Sequence, residues 1–311
     1  MERPKITISI LTYNRHALLD NLLNQLGGLN YRPLELIVVD NHSEDQTQQI
    51  IQRHSANIIY IRLEKNLGAV ARNYGLRRAT GEIIVTLDDD VFGINDIALD
   101  ELASIFENNA NMGAVNFKIS DPQGKTCNWV HHCRMEENVE KAFKTYEITE
   151  GAVAFRNSAL KKSGYYADCF FLSHEGPDLA FRIMDVGFDV TYSNKVAVTH
   201  LHSELGRKSW YNYYYDTRNH IWLSVRNFPF PYSIFWMLRG VLPMLLYSIR
   251  DGYGWHWTRA VHDGIKNVRA AAAGGKKLRE QTIMAIKNID KKRPPVLSLL
   301  RMKLGKKGVR L

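Results

Sequence analysis

The 311-residue chain is predicted to fold as an α/β protein around a doubly wound sheet flanked by helices. Three observations carry this. Apolar runs of strand length recur at Ile6–Leu11, Leu34–Val39, Asn57–Arg62 and Ile83–Leu87. Segments with apolar residues at helical spacing separate them. The runs end in polar residues, namely Thr12 and Asn14, then Asp40, then the triplet Asp88-Asp89-Asp90, and strand ends are where open α/β sheets bind ligands.

Each element follows in order. After the first strand and the loop Thr12-Tyr13-Asn14-Arg15, His16 to Leu26 places Leu18, Leu19, Leu22, Leu23 and Leu26 on one helical face. After the second strand, Ser43-Glu44-Asp45-Gln46 has the form of a capping box, with Ser43 as N-cap of a helix to about His54. Asn66-Leu67-Gly68 opens a helix through Arg78, stopped by Thr80-Gly81. There Gly68 and the basic Arg72 lie near a helix N-terminus, a site suited to phosphate.

The fourth strand is apolar and ends in three consecutive acids. Like charges this close repel, and a hard divalent cation such as Mg²⁺ or Mn²⁺ relieves them while bridging to substrate phosphates. A solvated acidic turn is the competing reading.

The ordered set Ile8-Ser9-Ile10-Leu11-Thr12-Tyr13-Asn14-Arg15, Val38-Val39-Asp40-Asn41, Asn66-Leu67-Gly68 with Arg72-Asn73, and Leu87-Asp88-Asp89-Asp90 resembles the family 2 glycosyltransferases, including rhamnosyltransferase-like members. The resemblance implies a GT-A-like mixed sheet and inverting transfer from a nucleotide-diphosphate sugar (UDP-, dTDP- or GDP-linked). It implies that Thr12, Tyr13, Arg15 and Asp40 hold base and ribose. Asp88 and Asp89 would face the donor, and Asp88 and Asp90 would hold Mn²⁺ or Mg²⁺ against the leaving diphosphate.

Ala98 to Glu107 reads as a helix and Gly113 to Ile119 as a strand. Cys127, His131, His132 and Cys133 crowd together, but their spacing is wrong for a paired-cysteine zinc site, so an acceptor wall or hairpin is the better reading. A strand at Gly151–Arg156 and a helix from Asn157 to Gly164 precede Glu175-Gly176-Pro177-Asp178-Leu179, with Arg182 beyond. This stretch resembles the family's acidic motif. Transfer to a hydroxyl needs a base, and Glu175 is the candidate, with Asp178 the alternative. Many relatives carry a second acid where this chain has Gly176. Arg182 and Asp185 have the spacing of a structural pair. The strand from Val196 to Ser203 carries His200 and His202 on one face, and the resemblance implies that His200, or else His202, is a further metal ligand.

A boundary near residue 205 separates the transferase domain, 1–205, from a helical, aromatic and basic region, 206–311. Trp210 to His220 resembles the Tyr-rich helix of rhamnosyltransferase-like members, suited to sugar rings and phosphate or to packing on the domain. Phe228 to Ile249 is apolar but interrupted by Arg239 and Pro243, which favours a helix lying in a membrane interface with Trp236, Trp255 and Trp257 at headgroup level. From Lys266 on there are fourteen Lys and Arg against Glu280 and Asp290, so the net charge of +9 belongs to the tail. Such a tail suits an anionic membrane, and nucleic acid is disfavoured. Three cysteines form no disulfide framework, and the N-terminus has no secretory pattern. These features place the protein in the cytoplasm, peripheral to the inner face of the membrane. The acceptor would be a glycan or a lipid-linked sugar, in polysaccharide synthesis. A non-catalytic nucleotide-sugar binder and a sugar nucleotidyltransferase are the rival classes.

Overall fold

The computed structural model describes residues 3–54, 58–128, 130–201 and 208–294. His202, Ser203, Trp129, Asn57 and the tail beyond 294 lie outside the described residues. The chain opens with β1 (Ile6–Thr12), α1 (His16–Gly27), β2 (Leu34–Asp40), α2 (Thr47–Arg53), β3 (Ile58–Arg62), α3 (Arg72–Arg78) and β4 (Ile83–Asp88). It continues through β5 (Val91–Phe92), α4 (Asp96–Asn108), β6 (Met112–Ser120), α5 (Met135–Asn138), β7 (Phe143–Lys144), β8 (Ala152–Arg156), α6 (Asn157–Ser163), α7 (Glu175–Asp185) and β9 (Asp189–His200). The helices α8 (Tyr211–Asn227), α9 (Tyr232–Arg250), α10 (Gly254–Lys266), α11 (Val268–Ala273) and α12 (Glu280–Asp290) complete it.

Among the described residues the strands form one mixed sheet in the order β3-β2-β1-β4-β8-β6-β9-β5, with β7 on β9. The first four strands pair in parallel. β8 then runs antiparallel to both β4 and β6. The winding reverses between β1 and β4, so the ends of these strands form the crevice expected at a topological switch point. Residues alternate across the sheet. Ile6, Ile8, Ile10, Val85 and Leu87 pack with α1 and α4, while Ile37, Val39 and Ile84 pack with α3 and α7. Burial on both faces explains why these strands read as continuous apolar runs.

Three local expectations are corrected. The capping box does not form: α2 starts at Thr47, and Asp45 Oδ1 accepts from the Thr47 N–H at 3.0 Å and from its hydroxyl. Ser43 Oγ instead accepts the Asn14 N–H at 2.9 Å, joining the loops after β1 and β2. Arg182 pairs with Asp178 rather than Asp185, whose carboxylate accepts from the Arg279 N–H and the Thr282 hydroxyl. α9 is one continuous 19-residue helix across Pro243, and it is the helix long and apolar enough to cross a membrane by length and composition among the described residues.

The C-terminal helices share a hydrophobic cluster with earlier segments. Tyr146, Phe170 and Phe181 pack against Ile221, Phe228, Trp236 and Ile283. Tyr146 OH donates to Asp290 Oδ1 at 2.6 Å, and Arg239 also pairs with Asp290. Trp236 is only 2% exposed and lies beneath the Arg239 guanidinium, so it does not stand at a membrane surface; Trp257 is partly buried, and its Nε1–H donates to Val241 O. Trp255, 74% exposed, does face outward.

Candidate active site

Sheet register builds the site. Thr12 lies opposite Asp40, and Leu11 opposite Asp88, so the ends of β1, β2 and β4 are level. The β5–β9 pairing sets His200 opposite Val91, and Leu201 N–H donates to Asp90 O at 2.8 Å. His200 Nε2 thereby lies 3.2 Å from Asp90 Oδ1.

The three acids have different surroundings. Asp89 is buried and accepts from Thr12 Oγ1 at 2.7 Å and from Arg15 Nη1 at 3.2 Å. Burial pushes its carboxyl up to about 7, against the pull of Arg15 and Thr12, and the charges of Asp90 and Asp88 add to the rise. Asp90 is desolvated too, but His200 and Arg15 hold it below the usual carboxylate range. Arg15 Nη1 reaches Asp90 Oδ2 at 2.6 Å. Asp88 forms an ion pair with the buried Arg72.

The other expected site residues have contacts of their own. The Thr12 hydroxyl and the Arg15 guanidinium support the acids. Asp40 is 1% exposed and accepts from Ser43 N–H at 2.7 Å and Tyr60 OH at 2.7 Å, so it holds the base of its loop. Tyr13 is exposed and stands open at the rim. The segment at Gly68 is not a free phosphate cradle. Leu67 N–H goes to Asn41 Oδ1, Gly68 N–H to Asn66 Oδ1 and Ala69 N–H to Phe171 O, and residues 68–71 form a 3₁₀ turn before α3. Gly68 has φ +65°, and a methyl there would overlap the Phe171 carbonyl.

On the opposite wall, Glu175 begins α7 and is 4% exposed. Asp178, the alternative base, is fully buried. Its Oδ2 accepts from Arg182 Nε at 3.0 Å, and its Oδ1 from Arg226 Nε at 3.1 Å and Asn227 Nδ2 at 2.9 Å. Arg182 and Arg226, with the Asn227 amide, hold it below the usual range despite its burial. Ser173 and His174, just before α7, both have φ near +70°, and Asn219 of α8 donates to both Leu172 O and Ser173 O. That is how the Tyr-rich helix serves the site. Its side chains are engaged internally: Tyr213 OH with Asp251, Tyr214 OH with Asp263, and Arg218 over Trp222.

Sequence reasoning missed three residues. Glu150 is partly buried, its backbone O accepts from Thr86 Oγ1 at 2.7 Å, and burial pushes its carboxyl upward. Gly151 allows the close approach of Asp88, whose carboxylate a methyl there would strike. Tyr166 is a buried phenol whose field, with those of Asp88, Glu150 and Glu175, acts on Arg72. An acid-glycine pair directly before a strand was the available signal. The cysteines are free, and His132 is packed on Phe143 and Tyr146 with Nε2 2.8 Å from Thr145 Oγ1.

The mixed sheet with acids at its switch point matches the fold of solved GT-A glycosyltransferases. The family model for glycosyl transferase family 2 matches residues 7–164, about half of the chain, and the chain belongs to that family. It is 25% identical over 227 residues to the O-antigen chain rhamnosyltransferase WbaN of Salmonella anatum, covering 69% of this chain and 71% of that one. It is 26% identical over 168 residues to the poly(ribitol-phosphate) beta-N-acetylglucosaminyltransferase TarS of Staphylococcus aureus, covering 52% of this chain but 29% of TarS. Among solved structures, TarS 1–349 with UDP-GlcNAc superposes with a TM-score of 0.63 at 18% identity, covering 92% of this chain and 90% of that one. The mannosyltransferase PcManGT of Pyrobaculum calidifontis, with GDP-Man and Mn²⁺, gives 0.60 at 20%, covering 97% and 84%.

Proposed function

We propose that this glycosyltransferase moves a sugar from a nucleotide-diphosphate sugar to a hydroxyl of a glycan or lipid-linked acceptor, with inversion, in cell-surface polysaccharide synthesis. The observation that carries the reading is the convergence of Asp90 and His200, far apart in sequence, at the strand ends beside Asp88. The relatives' names support the polysaccharide context, and the nucleotide sugars in similar structures support the donor class.

Residues that would hold a divalent cation are Asp88, Asp90 and His200. The fit is in the donor chemistry: two carboxylates and an imidazole suit Mn²⁺, and Mg²⁺ less well. Among the described residues no group of three His, Cys, Asp or Glu side chains is placed to hold an ion; Asp90 and His200 lie together, while Asp88 is paired with Arg72. When bound, the ion supplies positive charge against the departing diphosphate. Tyr13 at the rim offers a ring face for the base, and Arg15 and Arg72 keep the acids oriented.

A membrane surface is a further partner in this reading. Phe235, Leu238, Leu242, Leu246 and Ile249 form an exposed stripe on α9, continued by Phe230 and Trp255. Apolar stripes of this kind beside basic segments bind anionic bilayers.

Thermal melting with UDP, dTDP and GDP, each with and without Mn²⁺, tests the donor site. One nucleotide is expected to raise the melting temperature in a metal-dependent way, with the effect lost in Asp90→Ala. Absence of any shift in the wild type would refute the donor site.

A further inference from the structure

Gly176 follows Glu175 in the first turn of α7, and the structure shows what fills the space beside it. A methyl added to Gly176 would overlap Glu150 Oε1 and meet the Ile148 carbonyl. The Glu150 carboxylate accepts the Gly176 backbone N–H, so it lies against the first turn of α7. The carboxylate at this point of the wall therefore comes from the turn before β8. It also lies near the donor end of the site, because the next residue, Gly151, packs on Asp88 and its carbonyl accepts the Asp88 N–H at 3.2 Å.

Accessibility separates Glu150 from the acids of α7. Asp178 is sealed between two guanidiniums, and Glu175 is almost fully covered. Glu150 as a whole residue is only partly buried, and its carboxylate lies near the Arg72 guanidinium that pairs with Asp88. A base must come within hydrogen-bond reach of the proton it removes.

We infer that Glu150, whose carboxylate fills the space beside Gly176, is the base that deprotonates the acceptor hydroxyl. This rests on the donor-site reading above. In the step, the acceptor O–H bond breaks and its proton passes to a Glu150 oxygen. The acceptor oxygen bonds to the anomeric carbon, and the electron pair of the breaking C–O bond leaves with the nucleoside diphosphate.

The test uses the full chain with UDP-GlcNAc, GDP-mannose and dTDP-rhamnose in turn, with Mn²⁺. It follows release of nucleoside diphosphate with water as acceptor, alongside melting with UDP, GDP and dTDP. Glu150→Gln is expected to lower release by about 100-fold or more, as for loss of a general base, while nucleotide-dependent stabilisation stays at the wild-type value. Glu150→Asp is expected to retain part of the rate, and Glu175→Gln more of it than Glu150→Gln. Release within about threefold of wild type in Glu150→Gln would overturn the inference. So would joint loss of melting temperature and nucleotide stabilisation, which would make Glu150 only an anchor for α7. If no nucleotide stabilises the wild type, the donor reading fails first and takes this inference with it.

Discussion

Asp178 offers the sharpest test of how the acidic wall is built. Replacing it with alanine leaves two guanidiniums facing an apolar void, one of them Arg226, whose side chain is 6% exposed. Removing one partner of a buried ion pair costs about 3–5 kcal/mol. Both arginines keep other acceptors here: Arg182 donates to Ser163 O and Tyr165 O, and Arg226 to Ala271 O. That places the expected loss near the lower end, about 3 kcal/mol. For a chain of this size it corresponds to a fall in melting temperature of roughly 5 °C. Asp178→Asn keeps an acceptor oxygen but not the charge, and should lose about half as much. Urea or thermal unfolding followed by circular dichroism measures both variants. An Asp178→Ala protein with wild-type stability but no transferase activity would refute the structural role and return Asp178 to the chemistry.

Other consequences are open to direct measurement. Gly68→Ala should destabilise by about 2 kcal/mol, because the residue is left-handed and lies under the Phe171 carbonyl; unchanged unfolding would contradict that packing. Burial raises the Glu35 carboxyl, but bonds from the Thr80 N–H and from the Thr7 and Thr80 hydroxyls, with Lys5 beside it, outweigh this and hold it at about 2, below its ordinary 4.5. Its contribution is present above pH 4.5 and lost as pH falls through about 2, so Glu35→Gln should cost roughly 1–2 kcal/mol at pH 7 and the gap to wild type should close in acid. Phe235→Ser with Leu242→Ser should abolish sedimentation with anionic vesicles without lowering the melting temperature, since both side chains face outward. Unaltered vesicle binding would move the membrane contact off α9.

The first half of the fold was legible because its signals are local. Apolar runs at β1, β2 and β4 and the leucine face of α1 need no tertiary information. The reversal of β8 between β4 and β6 was not legible, since strand direction depends on long-range pairing. In the candidate site, the acid triplet and His200 were legible as candidates from type and order. Their contacts were not, because whether Arg72 meets a phosphate or Asp88 depends on where α3 sits over β4. The capping box at Ser43 failed for a related reason: Asp45 two residues later offered Thr47 a better acceptor, and Ser43 was drawn to the neighbouring loop. Trp236 was misplaced because an apolar helix shows the same composition whether its tryptophan faces protein or lipid. Glu150 escaped notice because its meaning lies in the empty side of Gly176, which no one-dimensional pattern records.

The cluster shared between the sheet and the C-terminal helices bears on engineering. Relatives that differ in acceptor invite chimeras, and the boundary expected near residue 205 suggests itself as a seam. A graft cut there would separate Tyr146 and Phe181 from Trp236 and Phe228, and Tyr146 from Asp290. The incoming helices must therefore bring side chains shaped for the resident aromatic wall, and a carboxylate for the resident phenol. Otherwise the transplant changes the foundation on which α7 stands before it changes what the enzyme accepts.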